Sequence, residues 1–230
     1  MALAIYVEYI ITWRNYEMYK RILAIGAHPD DVELGCAGTL LKFKAQGAEV
    51  DIVVARDDNA PRPSVHRDRA QMQKEYQDSE KVLGIPFHIM KNPYDETGRP
   101  RLEWNNASIT QMDEVVNAKD YDLIITHSKG DHHNDHQNTF NIVNSSLRRY
   151  RGEFWCMEGG PYSNKNKIFN PTVFVDISDL IKTKLDSIMC YTSYFDETLL
   201  HNIRGLAAYR GQMLGVQYAE AFDLQYRNIR

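Results

Sequence analysis

Apolar residues in this chain gather in short runs separated by longer amphipathic stretches. Residues 21–27 (RILAIGA) form a run that ends in small side chains, the pattern of a buried strand. A turn at His28-Pro29-Asp30-Asp31 follows, and the 3.6-residue periodicity of Leu34 to Ala45, closed by Gly47, predicts a helix with a glycine stop. Val50–Ala55 predicts a second buried strand. A polar loop with Pro61 and Pro63 leads to a long helix ending at Leu83-Gly84. Further on, the pattern predicts a strand at Pro86–Met90, a helix at Asn105–Ala118 and a strand at Tyr121–Thr126. A loop dense in His and Asp then precedes a helix from about Asp135 to Tyr150. Beyond it the pattern is less regular: a strand at Thr172–Ile177 and helices at Asp179–Tyr191 and Asn202–Leu214.

Strands alternating with helices predict an α/β fold with a doubly wound, mostly parallel sheet and helices on both faces. No repeat, low-complexity tract or linker divides the chain, so one domain is expected over residues 18–230. Residues 1–17 precede the first strong strand and read as an extension, or equally as a peripheral strand. Their apolar stretch, Ala2–Trp13, is interrupted by Glu8 and lacks a basic flank and a cleavage site, so neither a signal peptide nor a membrane span is predicted.

Composition narrows the class further. The chain has 230 residues, 27 Lys and Arg against 31 Asp and Glu, a formal charge of −4, and 43% hydrophobic residues. That mix suits a soluble globular protein and argues against nucleic acid or an anionic membrane as the main partner. Cys36, Cys156 and Cys190 lie far apart with no CxxC pair, which excludes a disulfide scaffold and a thiolate zinc finger. A cytoplasmic location is the expectation.

Two clusters carry the candidate chemistry, and each directly follows a predicted strand. One is His28-Pro29-Asp30-Asp31-Val32-Glu33. The other runs from His127 to His136 and includes Asp131, His132, His133 and Asp135. Together they hold five of the eight histidines. In a doubly wound sheet, adjacent strands bring such loops into one crevice beyond the strand ends, where ligands bind. Imidazole and carboxylate suit Zn²⁺, Fe²⁺ or Mn²⁺, and a hydrolytic site needs about three protein ligands and an open position. His28, Asp31 and one histidine of the second loop supply that set, with Asp30 beside them to take a proton. Taken singly, Asp30 and Asp31 also suit helix capping, and a His-rich loop suits a solvated surface. Their occurrence at matching strand ends favours a metal-assisted hydrolase.

Other motifs add little. Gly35-Cys36-Ala37-Gly38 lacks the GxGxxG spacing of a dinucleotide site, and its glycines are expected to let a helix pack closely on the sheet. No GxSxG elbow surrounds a serine. Cys36 is expected to be a small buried residue on the helix's inner face. His66, His88 and His201 stand alone as ordinary surface or core histidines.

The paired motifs, His28-Pro-Asp-Asp-Val-Glu33 and a DxHxDH pattern at Asp131, His133, Asp135 and His136, resemble the PIG-L/LmbE family of metal-dependent de-N-acetylases. The resemblance runs through nearly the whole chain from about Met18. It takes in GxxGTL at Gly35–Leu40, the helix end Val82–Ile85, the strand at Val173–Ser178 and Gln217–Phe222. It implies a Rossmann-like fold, a zinc ion, and removal of acetyl from an N-acetylglucosamine-type substrate, a small-molecule amino sugar. A thiol-conjugate amidase using the same site is the alternative, and a homo-oligomer is expected.

By position, the resemblance implies His28, Asp31 and His136 as metal ligands and Asp30 as general base. His133 would stabilise the transition state, oriented by Asp135, which would also raise its pKa and favour a cationic ring. Asp131, Arg67 and Arg69 are the candidate substrate-binding residues. The family often has an Arg where this chain has Met72, three residues before Glu75, and Arg67 or Arg69 is the nearest replacement. Ala37 stands in place of a common Gly.

Overall fold

The structure, a computed structural model, describes residues 19–56, 69–92, 101–160 and 169–228. Residues 1–17, Arg67 and the side chain of Arg69 lie outside the described residues. So does His66.

Among the described residues, seven strands form one sheet: β1 (Arg21–Gly26), β2 (Glu49–Val54), β3 (Phe87–Ile89), β4 (Leu123–His127), β5 (Glu153–Met157), β6 (Val173–Asp176) and β7 (Ala219–Tyr226). Their order is β3-β2-β1-β4-β5-β7-β6. β3, β2, β1, β4 and β5 are mutually parallel, and β7 runs antiparallel to both β5 and β6. The order reverses between β1 and β4, which makes their carboxyl ends the topological switch point. Among the described residues, seven α-helices pack around the sheet: α1 (Asp31–Gly35), α2 (Ala37–Ala45), α3 (Arg69–Leu83), α4 (Asn106–Val116), α5 (Asn134–Ser146), α6 (Ile181–Ile188) and α7 (Glu197–Leu214). The predicted α/β architecture is the observed one.

β1 explains the layering. Its side chains alternate between faces, and both faces are covered, so Ile22, Leu23, Ala24 and Ile25 are all fully buried. Ile22 and Ala24 join one core with Val32, Leu40, Met157 and Phe222. Leu23 and Ile25 join the opposite core with Met112, Phe140, Val143 and Phe154. The glycines after β1 work as expected of a close approach. A Cβ on Gly35 would stand 2.4 Å from the Met157 sulfur, and one on Gly38 would stand 2.8 Å from Ile177. Cys36 between them is fully buried.

Three differences from the predicted pattern have physical causes. The expected single helix over 34–45 is two, broken at Cys36, so α2 has an amino terminus of its own. Its Gly38 and Thr39 N–H groups donate to Glu220 on β7 at 2.9 and 2.7 Å. This carboxylate satisfies two of the N–H groups a helix start leaves open. β5 and β7 are strands outside the expected set; in β7, Glu220 stands at a core position and so hides the apolar alternation. α7 starts at Glu197 rather than Asn202, because Asp196 caps it by accepting the Leu199 N–H at 3.1 Å.

Glu220 is itself neutralised by Lys184 of α6. Their side chains lie 2.6 Å apart and are 4% and 3% exposed, and Lys184 also donates to the Leu34 carbonyl at 2.8 Å. One buried ion pair therefore joins α1, α2, α6 and β7. Among the described residues, no helix is long and apolar enough to cross a membrane.

Lys184→Met leaves Glu220 buried without its counter-charge, and breaking such a pair typically costs about 3–5 kcal/mol. Urea denaturation is expected to show that loss. Lys182→Met, which removes an exposed pair with Asp186, is expected to leave the midpoint unchanged.

Candidate metal centre

The two clusters meet at the switch point. β1 delivers Ala27 and His28, α1 begins with Asp31, β4 ends at His127, and α5 carries Asp135 and His136 in its first turn. Asp31 is buried at the centre. Its Oδ2 accepts the His28 backbone N–H at 2.7 Å, and its Oδ1 lies 3.1 Å from His136 Nε2. His28 Nδ1 stands 3.4 Å from Asp31 Oδ2. His28, Asp31, His133, Asp135 and His136 thus come together, with Asp131 bonded to His136 and Asp30 near enough to feel the charges of Asp31, His28 and His136.

Each candidate ligand ring has its other nitrogen held by a carboxylate. His28 Nε2 donates to Asp135 Oδ2 at 3.0 Å, which leaves Nδ1 facing Asp31. His136 Nδ1 donates to Asp131 Oδ2 at 2.8 Å, which leaves Nε2 facing Asp31. Such supports fix both the tautomer and the orientation of a metal-binding imidazole. The donor set of two imidazoles and a carboxylate fits a zinc-type ion. Two groups of donor atoms lie within 4.8 Å of one another: His28 with His133 and His136, and Asp31 with His127 and His136. His127 is the weaker candidate, because its Nε2 accepts the Ala27 N–H at 2.9 Å and its lone pair is committed.

The electrostatics follow from burial and close neighbours. Burial opposes a charge on His136, yet Asp31 and Asp131 prevail and raise its pKa to about 9. Burial alone would raise the pKa of Asp31, but the adjacent His136 holds it well below the usual carboxylate range. His127, stacked on His136 with ring centres 3.9 Å apart, is pushed down to about 4 by burial and by that neighbour. Asp30 is pushed well above the carboxylate range by loss of solvent and by repulsion from Asp31. Asp30 also adopts φ 141°, and it is the one non-glycine residue at positive φ among the described residues. Backbone strain of this kind gathers at functional positions.

Three expectations are corrected here. Asp135 does not hold His133 through its carboxylate: that group binds His28 and the Arg56 guanidinium, and only its backbone N–H meets His133, at Nδ1, 3.2 Å away. Nor is His133 made cationic, since burial and the neighbouring His28 and His136 lower its pKa. Asp131 does not face a substrate. It is 2% exposed, with Oδ1 taking the His133 N–H at 2.8 Å and Oδ2 taking His136. Met72 is a half-buried residue of α3.

Arg56 and His127 are the site residues that the sequence reading did not select. Arg56 follows the end of β2, and the rule that placed the two clusters at strand ends also pointed to it. His127 was inside the second cluster, but nothing in its spacing distinguished it from His132 or His133.

Comparison with known proteins agrees with the architecture and the motifs. A profile of the PIG-L family, described as GlcNAc-PI de-N-acetylase, matches residues 23–147. The chain belongs to this family. It is 31% identical over 121 residues to the uncharacterized deacetylase YaiS of Escherichia coli (strain K12), an alignment covering 51% of this chain and 62% of that protein. It is 24% identical over 222 residues to the diacetylchitobiose deacetylase of Thermococcus kodakarensis, covering 87% of this chain and 81% of that one. Among solved structures, the N,N'-diacetylchitobiose deacetylase from Pyrococcus horikoshii superposes with a TM-score of 0.68 at 25% identity, over 90% of this chain and 84% of that one.

In protein freed of divalent ions, His136 has a folded pKa of about 9 against an ordinary value of 6.5. The folded state therefore binds the extra proton, and the stability this contributes is complete below about pH 6.5 and lost as pH rises through about 9. Urea midpoints of chelator-treated protein are expected to fall across that window. His136→Gln is expected to flatten the slope, and an unchanged slope in the variant would contradict the pairing.

Proposed function

We propose that this protein is a zinc-dependent hydrolase that removes the acetyl group from an N-acetylated amino-sugar conjugate, giving acetate and the free amine. The observation that carries the reading is the braced pair His28 and His136, whose remaining nitrogens converge on Asp31 at the switch point. The deacetylases named among its relatives support the amide as the bond cleaved. His28, Asp31 and His136 would hold the metal, which when bound lowers the pKa of water and polarises a carbonyl.

The remaining work falls to side chains of the chain itself. Asp30, with a raised pKa, is a stronger base than an ordinary carboxylate and takes the proton of the attacking water. That proton then passes to the leaving nitrogen. His133 is neutral near pH 7, and its Nδ1 is already an acceptor, so its Nε2–H is available to donate. A donor at the rim of the crevice stabilises the oxyanion as it forms. An acetamide is small, so selectivity among conjugates rests on groups around the site, with Arg67 and Arg69 the candidates for an anionic substituent.

Elemental analysis is expected to find about one divalent ion per chain, lost in His28→Ala and in His136→Ala. Full occupancy in both variants would overturn the ligand set. Asp30→Asn is expected to retain the ion while deacetylation of N-acetylglucosamine conjugates falls about 10²–10⁴-fold. His133→Ala is expected to lower kcat by about 10²–10³-fold, the range for loss of one oxyanion donor, with metal content unchanged. If no N-acetyl amino sugar or conjugate is hydrolysed by the zinc-loaded protein, the amino-sugar reading fails.

A further inference from the structure

We propose that Arg56 is a positioning residue for the metal-binding imidazole of His28, acting through Asp135. The inference rests on the assignment of His28 as a ligand. Arg56 lies outside both sequence motifs, directly beyond β2, yet its backbone and side chain are both tied to the β1 loop and its partners. The Ala55 N–H donates to the Gly26 carbonyl at 2.8 Å, and the Arg56 N–H donates to the Ala27 carbonyl at 3.0 Å. This places the guanidinium beside the loop that carries His28. Its Nη1 then donates to Asp135 Oδ2, the same oxygen that accepts His28 Nε2–H.

The side chains of Arg56, Asp135 and His28 are only 13%, 12% and 12% exposed. A carboxylate so placed needs more than one imidazole to hold its orientation and to offset its desolvation. Arg56 supplies a planar, charged donor that fixes the rotamer of Asp135, and Asp135 in turn fixes the ring of His28 with Nδ1 toward Asp31. Lysine is a compact point charge without that planar fork, so it would restore the charge but only part of the orientation.

The test measures Zn²⁺ affinity of the full-length protein by competition with a chromophoric chelator, for Arg56→Met, Arg56→Lys, Asp135→Asn and Arg56→Met/Asp135→Asn. Loss of a partner that supports a metal ligand typically weakens affinity about 10–100-fold, and Arg56→Met is expected to fall in that range. Arg56→Lys is expected to recover part of the loss. The double variant is expected to be no weaker than the weaker single variant, because both changes cut one chain of contacts. Circular dichroism of each variant separates this from a failure to fold, and Arg56→Lys keeps the test open should Arg56→Met not fold. Affinity within twofold of wild type in a folded Arg56→Met protein would overturn the proposal. So would full additivity with Asp135→Asn, or a raised KM with affinity unchanged, which would mark Arg56 as a substrate contact. His28→Ala with wild-type Zn²⁺ affinity would instead remove the ligand assignment itself.

Discussion

The structure turns on one buried carboxylate. Asp31 sits at the amino terminus of α1, 5% exposed, with a backbone N–H from His28 and the ring of His136 on its two oxygens. An isolated ionised carboxylate in such a place would be prohibitively costly, so its partners must converge on it. They come from both loops, one after β1 and one after β4. The carboxylate therefore requires that these strands be neighbours and that their ends lie level. The parallel register of Ile22 with Leu123 and of Ala24 with Ile125 meets that requirement.

Around this centre the burial of charge is repeated rather than avoided. Glu33, one helical turn away from the crevice, is 1% exposed and accepts hydroxyls from Ser79 at 2.6 Å and Tyr191 at 2.5 Å. Glu75 takes the Ser193 N–H and hydroxyl at 2.8 and 2.6 Å and so fastens α3 to the turn after α6. Glu220 and Lys184 close the other side. Each acid is satisfied by groups from a different element, so together they specify how α1 sits against α2, α3, α6 and β7. A short helix of five residues could not hold its position by its own hydrogen bonds. Its fixed position allows Asp30, just before it, to keep an unfavourable backbone conformation.

The share of this arrangement legible in the sequence follows from the range of each interaction. The apolar runs of β1 and β4 are local, and both loops were found from them, including the fact that they share a crevice. The break at Cys36 was hidden because the acceptor for the new helix start, Glu220, lies 182 residues from Gly38. β7 was hidden by the same residue, since a glutamate in the buried row reads as a solvent-facing position. The motif resemblance pairs Asp135 with His133, two residues before it. The structure instead sends its carboxylate across the crevice to His28, 107 residues away, and to Arg56 on a third strand end. Local patterning identified the acids, and only the fold assigned their partners.

That reassignment gives the spacing of the second motif a physical meaning. Asp131 lies before α5 and reaches forward to His136, in the first turn of the helix. His133 occupies the capping position between them, with its Nδ1 on the Asp135 N–H. Asp135, in the first turn, projects to the other loop. Two carboxylates thus brace two histidines crosswise, one within the loop and one between loops, and among the described residues no carboxylate bonds the ring of the histidine between them. With the Asp135 N–H on its Nδ1 and its pKa lowered by burial and by His28 and His136, His133 is suited to the neutral state, and under the proposed mechanism it donates through Nε2. The neutral state matters because a neutral donor strengthens its bond only as negative charge develops on the reacting oxygen. A permanent cation would also attract acetate in the product state, and the same residue would then slow release.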